Sequence, residues 1–441
     1  MTAMRVAVLG LWHQGVVAAA CFADLGYEVV ATDASPAVVT GLQGGKLPVF
    51  EPGLEDLVGK GLASGKLHFV QGFAAAARDA DIVCVMIDTP VDENDVSDLS
   101  SIFDAAHDIA PVLKNKTVVY VTSQIPIGTC AKIQEILDAG AGRKIAIGYS
   151  PENLRLGIAL QRFLHPPLPV IGTDDVSTFE TLVAFLSPLT KEWQNCGIAT
   201  AEMLKHALNG FLAVNICFGN EIGNLCDAVG ADGGALAKLL RLEPRVGPNA
   251  MLTPGLGFAG GTLARDMMTL RTIGDRYGIE TLLLDGAWNT NKGQNKLVVH
   301  RLGELLGNLA GKRICVLGLT YKADTSTLRR SAALEVIEDL HAAGAKVHAN
   351  DPGADREELT KLDTFEFVED VYEAAEGADA VILMTPWHFY KEIDLKRLHS
   401  VMRGDVLFDT ARLWSAEAAA GLGFTYIDIG GGRAAKSTRS Y

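Results

Sequence analysis

Residues Arg5 to Leu9 (RVAVL) carry, after the arginine, an unbroken apolar run that leads into Gly10-Leu11-Trp12-His13-Gln14-Gly15. Such a run is the pattern of a strand buried on both faces of a parallel sheet. The stretch from about Val16 to Leu25 reads as a helix, and Tyr27 to Thr32 as the next strand, ending at Asp33. Strand, glycine turn, helix and a second strand closed by an acid admit few folds other than a doubly wound α/β sheet.

The turn occupies the place of a G-x-G-x-x-G dinucleotide fingerprint. Its first glycine permits the tight bend, and its last permits close packing of helix on strand. The helix N-terminus then faces a pyrophosphate, and the acid accepts a hydrogen bond from a ribose hydroxyl. Gly10, Gly15 and Asp33 are the candidates for these roles. Asp33 would also repel a 2′-phosphate, which favours NAD over NADP. The middle glycine is replaced by Trp12, so either the indole swings aside or the cofactor shifts. The alternative is a strand–turn–helix that needs its glycines for geometry alone.

Further buried-strand candidates are Ile82–Ile87, Thr117–Val121, Ile145–Ile147 and Val170–Ile171, with helical segments between several of them. From Ala201 to about Val229 there is no proline and apolar residues recur at helical spacing, which predicts one long helix. A Gly- and Pro-rich segment, Pro244 to Gly261, is followed by more helix to about Leu309. A second α/β unit opens at Arg313–Leu317 and continues through Lys346–His348 and Val381–Met384. The Gly-rich, basic Gly430–Tyr441 reads as a loose tail.

At 441 residues the chain has room for two or three domains. Its 39 Lys and Arg against 53 Asp and Glu give a net charge of −14, which argues against nonspecific nucleic-acid binding. No apolar run reaches the roughly 18 residues of a membrane helix, and the N-terminus lacks a signal-peptide pattern. Seven cysteines, an odd number without C-x-x-C spacing, point to reduced thiols and a cytoplasmic home. No metal centre is expected. The 46 glycines suit an enzyme with many tight turns and backbone–phosphate contacts.

Motifs then recur in order along the chain. They are Glu51-Pro52-Gly53-Leu54, Thr89-Pro90, Ser123-Gln124-Ile125-Pro126-Ile127-Gly128-Thr129 and Pro151-Glu152-Asn153-Leu154-Arg155. The order continues with Ala201 to Asn209, Asn220-Glu221, Pro244 to Gly247, Pro254 to Asp266, Gly318 to Lys322, Arg329 and Asp351-Pro352. Over nearly its whole length the sequence resembles the UDP-glucose/GDP-mannose dehydrogenase family, enzymes that oxidise C6 of a nucleotide sugar with NAD.

The resemblance implies two Rossmann-like doubly wound domains joined by a central helical dimerisation domain with a long helix. Its boundaries here are 1–198 for NAD, 199–298 for the helical part and 299–441 for the nucleotide sugar. It implies a UDP-linked substrate and a homodimer or a dimer-based oligomer. Lys205 and Asn209 fall where a cation and an amide, one helical turn apart, stabilise a C6 oxyanion. Asp266 falls on an acid that positions water or accepts a proton, and Glu152 on the general base of the hydrolytic steps. Thr89 and Gln124 join Gly10, Trp12, Gly15 and Asp33 at the cofactor. Leu154, Arg155, Arg245, Gly260, Lys322 and Arg412 fall on the substrate side, with Arg245 reaching across the dimer.

Each residue also has a plainer reading. Lys205 would suit a solvated helix face, Glu152 a helix cap, and Arg245 a pair with Glu243. The departures from the family pattern cluster at the chemistry. Counting back from Asp266, the family's nucleophilic cysteine falls on Thr262, and its lysine on Arg265. A cysteine thiol, pKa near 8.5, readily gives the thiolate that captures the C6 aldehyde for a second oxidation. A threonine hydroxyl needs a positioned base and makes a poorer leaving group. Gln124, Asn153, Leu156 and Ser326-Thr327 also depart from the pattern. Two classes of function follow: an enzyme of partial or redirected oxidation, and a nucleotide-sugar-binding homologue without catalysis. Full oxidation to the uronate, with Thr262 or water replacing the thiol, is a third reading.

Overall fold

The structure, a computed structural model, describes residues 4–92, 97–152, 154–259 and 261–432. Asn153, Gly260 and residues 433–441 of the expected tail lie outside the described residues. Met1–Ala207 form one compact unit and Leu208–Tyr441 another.

The first unit holds strands β1 (Arg5–Leu9), β2 (Glu28–Thr32), β3 (Leu67–Phe69), β4 (Ile82–Val85), β5 (Val118–Val121), β6 (Ala146–Tyr149), β7 (Val170–Gly172) and β8 (Gln194–Cys196). They form one sheet in the order β3-β2-β1-β4-β5-β6-β7-β8, parallel except for the β6–β7 pair. Alternate residues of β1 feed opposite cores. Val6 and Val8 pack with Val16, Phe22 and Phe185, while Ala7 and Leu9 pack with Val83 and Ile133. Burial on both faces explains the unbroken apolar run. Phe22 anchors the first core edge-on to Phe163 at 5.2 Å and tilted on Phe185 at 4.8 Å. Burying such a ring stabilises by roughly 2–3 kcal/mol.

The first helix is His13–Asp24, starting three residues before the expected Val16. Its N-cap is Trp12, which offers no side-chain bond, so no capping residue marks the start in the sequence. The long helix is Ile198–Val229.

The second unit carries β9 (Arg313–Leu317), β10 (Lys346–Asn350), β11 (Glu366–Phe367), β12 (Ala380–Leu383), β13 (Val406–Asp409) and β14 (Thr425–Asp428). This sheet is wholly parallel, in the order β11-β10-β9-β12-β13-β14. The helical stretch after Gly261 is two helices, Thr262–Tyr277 and Leu282–Leu306, because Gly278 takes φ +67° and ends the first. Among the described residues no helix is long and apolar enough to cross a membrane.

Candidate active site

In both sheets the chain order reverses beside the first strand, between β1 and β4 and between β9 and β12. Ligands of open α/β sheets bind at such points, beyond the carboxyl ends of the strands. In the first unit the turn Gly10–Gly15 follows β1, Asp33 follows β2, Thr89 follows β4, Gln124 follows β5 and Glu152 follows β6. The sequence-predicted cofactor residues therefore share one edge.

Gly10 has φ +94°, and a Cβ there would lie 2.6 Å from the Ile87 Cα. A Cβ on Gly15 would lie 1.7 Å from the Gly10 carbonyl oxygen, so helix and strand meet at backbone distance. Trp12 has φ −70°, which any residue adopts, and its side chain is 51% exposed. The indole thus stands in solvent and the backbone of the turn keeps its bend. Asp33 accepts Leu11 N–H at 2.7 Å on one oxygen and Ser35 N–H at 2.9 Å on the other. Each oxygen retains acceptor capacity for a ribose hydroxyl. A glycine-bounded turn, a helix N-terminus and this carboxylate fit a dinucleotide. Thr89 Oγ1 donates to the Gln124 carbonyl at 2.6 Å, tying two edge loops together. Gln14 Nε2 donates to Thr122 Oγ1 at 2.7 Å.

Lys205 is 7% exposed, not on a solvated face. Its Nζ donates to the Glu152 carbonyl at 2.7 Å and lies 3.6 Å from Glu152 Oε2. Glu152 caps no helix; its Oε1 accepts the Leu154 N–H at 2.5 Å. Leu154 is half-buried and Arg155 exposed. Glu202, one turn before His206 on the same helix, accepts Gly128 and Cys130 N–H at 2.7 and 2.8 Å. His206 Nε2 meets the Ile125 carbonyl at 3.1 Å. A cavity of about 80 Å³ lies within this unit, lined among others by Gln14, Thr122 and Glu152 and by Phe22, Phe163 and Trp193.

In the second unit Asn209 Nδ2 donates to Asp266 Oδ2, and the two residues are 6% and 0% exposed. Thr262 is the exposed first residue of its helix, one turn before Asp266. The loop ahead of it is held by asparagines: Gly255 N–H by Asn220, Gly257 N–H by Asn295, and Phe258 N–H by Asn291. Asn291 and Asn295 were not among the sequence candidates. Two asparagines four apart, on a helix whose neighbouring apolar positions are buried, were the available signal. Gly260 lies outside the described residues.

Arg412, at φ +55°, donates to Asp232 Oδ1 at 2.9 Å and Ile429 O at 3.1 Å, and lies 3.0 Å from Asp428 Oδ2. Burial pushes the Asp428 carboxyl up, against the pull of Arg412. Lys322 is exposed after β9. Arg245 is exposed and its Nε donates to Glu243 Oε1 at 2.7 Å, so the plainer pairing is present.

Six of the seven cysteines are buried and Cys196 is half-buried. Burial, aided by Asp24, pushes the Cys21 thiol up to about 12, and burial pushes Cys217 to about 11 and Cys196 upward. Among the described residues no group of three or more His, Cys, Asp or Glu is placed to hold a metal.

Sheet order, turn and carboxylate define a doubly wound α/β protein whose first unit fits a dinucleotide. Family models cover the chain in three parts: an NAD binding domain at residues 4–190, a central domain at 199–293 and a UDP binding domain at 315–416. The UDP-glucose 6-dehydrogenase of Rhizobium meliloti is 32% identical over 97% of this chain and 99% of its own. A UDP-glucose 6-dehydrogenase of Bacillus subtilis is 33% identical over 97% of this chain and 93% of its own. A UDP-glucose dehydrogenase structure from Pyrobaculum islandicum superposes with a TM-score of 0.84 at 31% identity, covering 94% of this chain and 96% of that one. The chain belongs to the UDP-glucose/GDP-mannose dehydrogenase family. It is an NAD-dependent oxidoreductase acting on a CH–OH group.

Proposed function

We propose that this enzyme oxidises the C6 alcohol of a UDP-hexose and that its reaction stops at, or turns aside from, the aldehyde. The observation that carries the second half is Thr262, exposed at the helix start where the family has its thiol, with every cysteine buried or half-buried. When bound, NAD would supply the acceptor for the hydride of C6. Gly10, Gly15 and Asp33 hold it, and Thr89 and Gln124 frame the edge beside it.

Lys205 and Asn209, four apart on one helix, present an ammonium and an amide to the C6 oxygen as charge develops there. Asp266 orients the Asn209 amide and, directly or through a water, takes the alcohol proton. Glu152, held beside Lys205, stands ready as a base for water. Leu154, Arg155, Gly260, Lys322 and Arg412 serve the nucleotide sugar. Arg245 serves it from a second subunit.

The 32% and 33% identities to UDP-glucose 6-dehydrogenases favour a second reading, in which Glu152 activates water to hydrate the aldehyde and the gem-diol gives up its hydride to a second NAD to become the uronate. A binding homologue without catalysis has no need of Lys205, Asn209, Asp266 and Glu152 together. Counting NADH formed per UDP-glucose consumed separates the three. Two sinks partial oxidation. None, with no exchange at C5 or C6, favours the binding homologue. Thr262→Cys restores uronate formation if the missing thiol alone limits the second step.

We further propose a homodimer built on the long helix, in the cytoplasm. Phe211, Phe218 and Leu225, 65%, 50% and 57% exposed, recur every seven residues and leave an apolar stripe.

A further inference from the structure

We propose that His13 is a positioning residue that ties the cofactor turn to the segment just after Glu152; the proposal rests on the NAD reading of that turn. His13 is the first residue of its helix, in the stretch that faces a pyrophosphate. Its ring turns inward: the side chain is 15% exposed and Nε2 lies 3.0 Å from Glu51 Oε2. Glu51 is itself buried, at 3% exposure.

The same carboxylate accepts the Gly157 N–H at 2.9 Å on Oε2 and the Ala159 N–H at 2.8 Å on Oε1. Those two amides belong to the segment 154–159, which contains Arg155 and lies just after Glu152 in the chain. One buried carboxylate is therefore shared by the start of the cofactor helix and by the segment that follows the candidate base. A carboxylate only accepts, so His13 donates through Nε2–H. The terminal torsion of a glutamate is broad, and each donor that fixes it narrows the freedom of the others.

Anything that orders the turn restrains His13, Glu51 and the two amides in series. The glycine fingerprint does not require histidine at this position. Paired with a buried acid, it becomes a hydrogen-bonded link from the turn's side chains to the segment 154–159.

Hydrogen–deuterium exchange of the full chain, with and without NADH, tests this on peptides covering residues 155–163, with NADH affinity titrated by fluorescence. NADH slows exchange of that segment by about threefold or more in the unmodified protein. His13→Ala still binds NADH but loses the slowing, and His13→Gln, which keeps an N–H donor, restores it. His13→Leu gives the same reading where the alanine variant is unstable. In turnover His13→Ala lowers kcat about tenfold and leaves KM for NAD within about threefold. NADH binding without a difference in slowing between His13→Ala and the unmodified protein overturns this proposal alone. Failure of the unmodified protein to bind NADH overturns the cofactor reading, and this proposal with it.

Discussion

Replacing Lys205 by Met removes an ammonium from the proposed C6 oxyanion clamp while keeping the side chain's length. Two costs are separable. The catalytic cost is that of one preorganised donor, about 3–4 kcal/mol, or roughly 10²–10³ in kcat. The structural cost is the Glu152 carbonyl, which loses its donor at 2.7 Å and is worth about 1–3 kcal/mol if left unpaired. Against that stands the relief of desolvating an ammonium at 7% exposure, so net stability changes by less than about 2 kcal/mol. Single-turnover NADH formation with UDP-glucose and UDP-N-acetylhexosamines as probes reads the first cost; urea unfolding reads the second. Asn209→Ala is expected to cost less on the Lys205→Met background than alone, since both donors serve one oxygen. A Lys205→Met variant within about tenfold of normal kcat, or strict additivity with Asn209→Ala, refutes the clamp.

Phe218→Asp places a charge in the centre of the apolar stripe and is expected to give a monomer in sedimentation velocity. Thiol reagents are expected to titrate Cys196 first and the rest only on unfolding. Raised thiol pKa values keep the reactive thiolate scarce near pH 7, and its fraction grows about tenfold per pH unit up to about 11 for Cys217 and about 12 for Cys21 and Cys315. Arg301→Ala strands the Asp227 carboxylate, buried at 7%, which otherwise holds Arg301 and the Gly430 and Gly432 amides. The expected loss is about 3–5 kcal/mol in urea unfolding.

The sheets were legible where buried strands left apolar runs of four residues, as after Arg5 in Arg5–Leu9 and after Arg313 in Arg313–Leu317. β3, β8 and β11, of two or three residues, are too short to show a period, and β8 is polar (Gln-Asn-Cys). β13 (VLFD) and β14 (TYID) carry apolar residues of the same kind and were as legible as the other strands. The Lys205–Glu152 and Asn209–Asp266 contacts were not legible as contacts. Each joins residues 53 or 57 apart, a pairing set by tertiary packing. Family order supplied the members, and burial separates them from solvated polar residues.

The most instructive ambiguity is a turn that the chain uses twice. Val8-Leu9-Gly10-Leu11 and Val316-Leu317-Gly318-Leu319 each end a first strand, with glycine φ of +94° and +90°. Asp33 and Asp351 each close the neighbouring strand and each accept the N–H after the glycine, from Leu11 and Leu319. Pattern alone would assign both to a dinucleotide. Yet Asp351 is 1% exposed, and its Oδ2 also receives Thr320 N–H, Thr320 Oγ1 and Trp387 Nε1, while Oδ1 receives Gly353 N–H. Its acceptor capacity is consumed by the fold, whereas Asp33, half-buried, has one backbone donor per oxygen. Asp33→Asn is therefore expected to weaken NADH binding by about 1.5–3 kcal/mol, roughly 10- to 150-fold, with little change in urea midpoint. Asp351→Asn is expected to lower stability by about 1–3 kcal/mol and to leave NADH affinity unchanged. The reverse pattern, affinity lost at Asp351 and stability lost at Asp33, would show that acceptor capacity is not what tells the two turns apart.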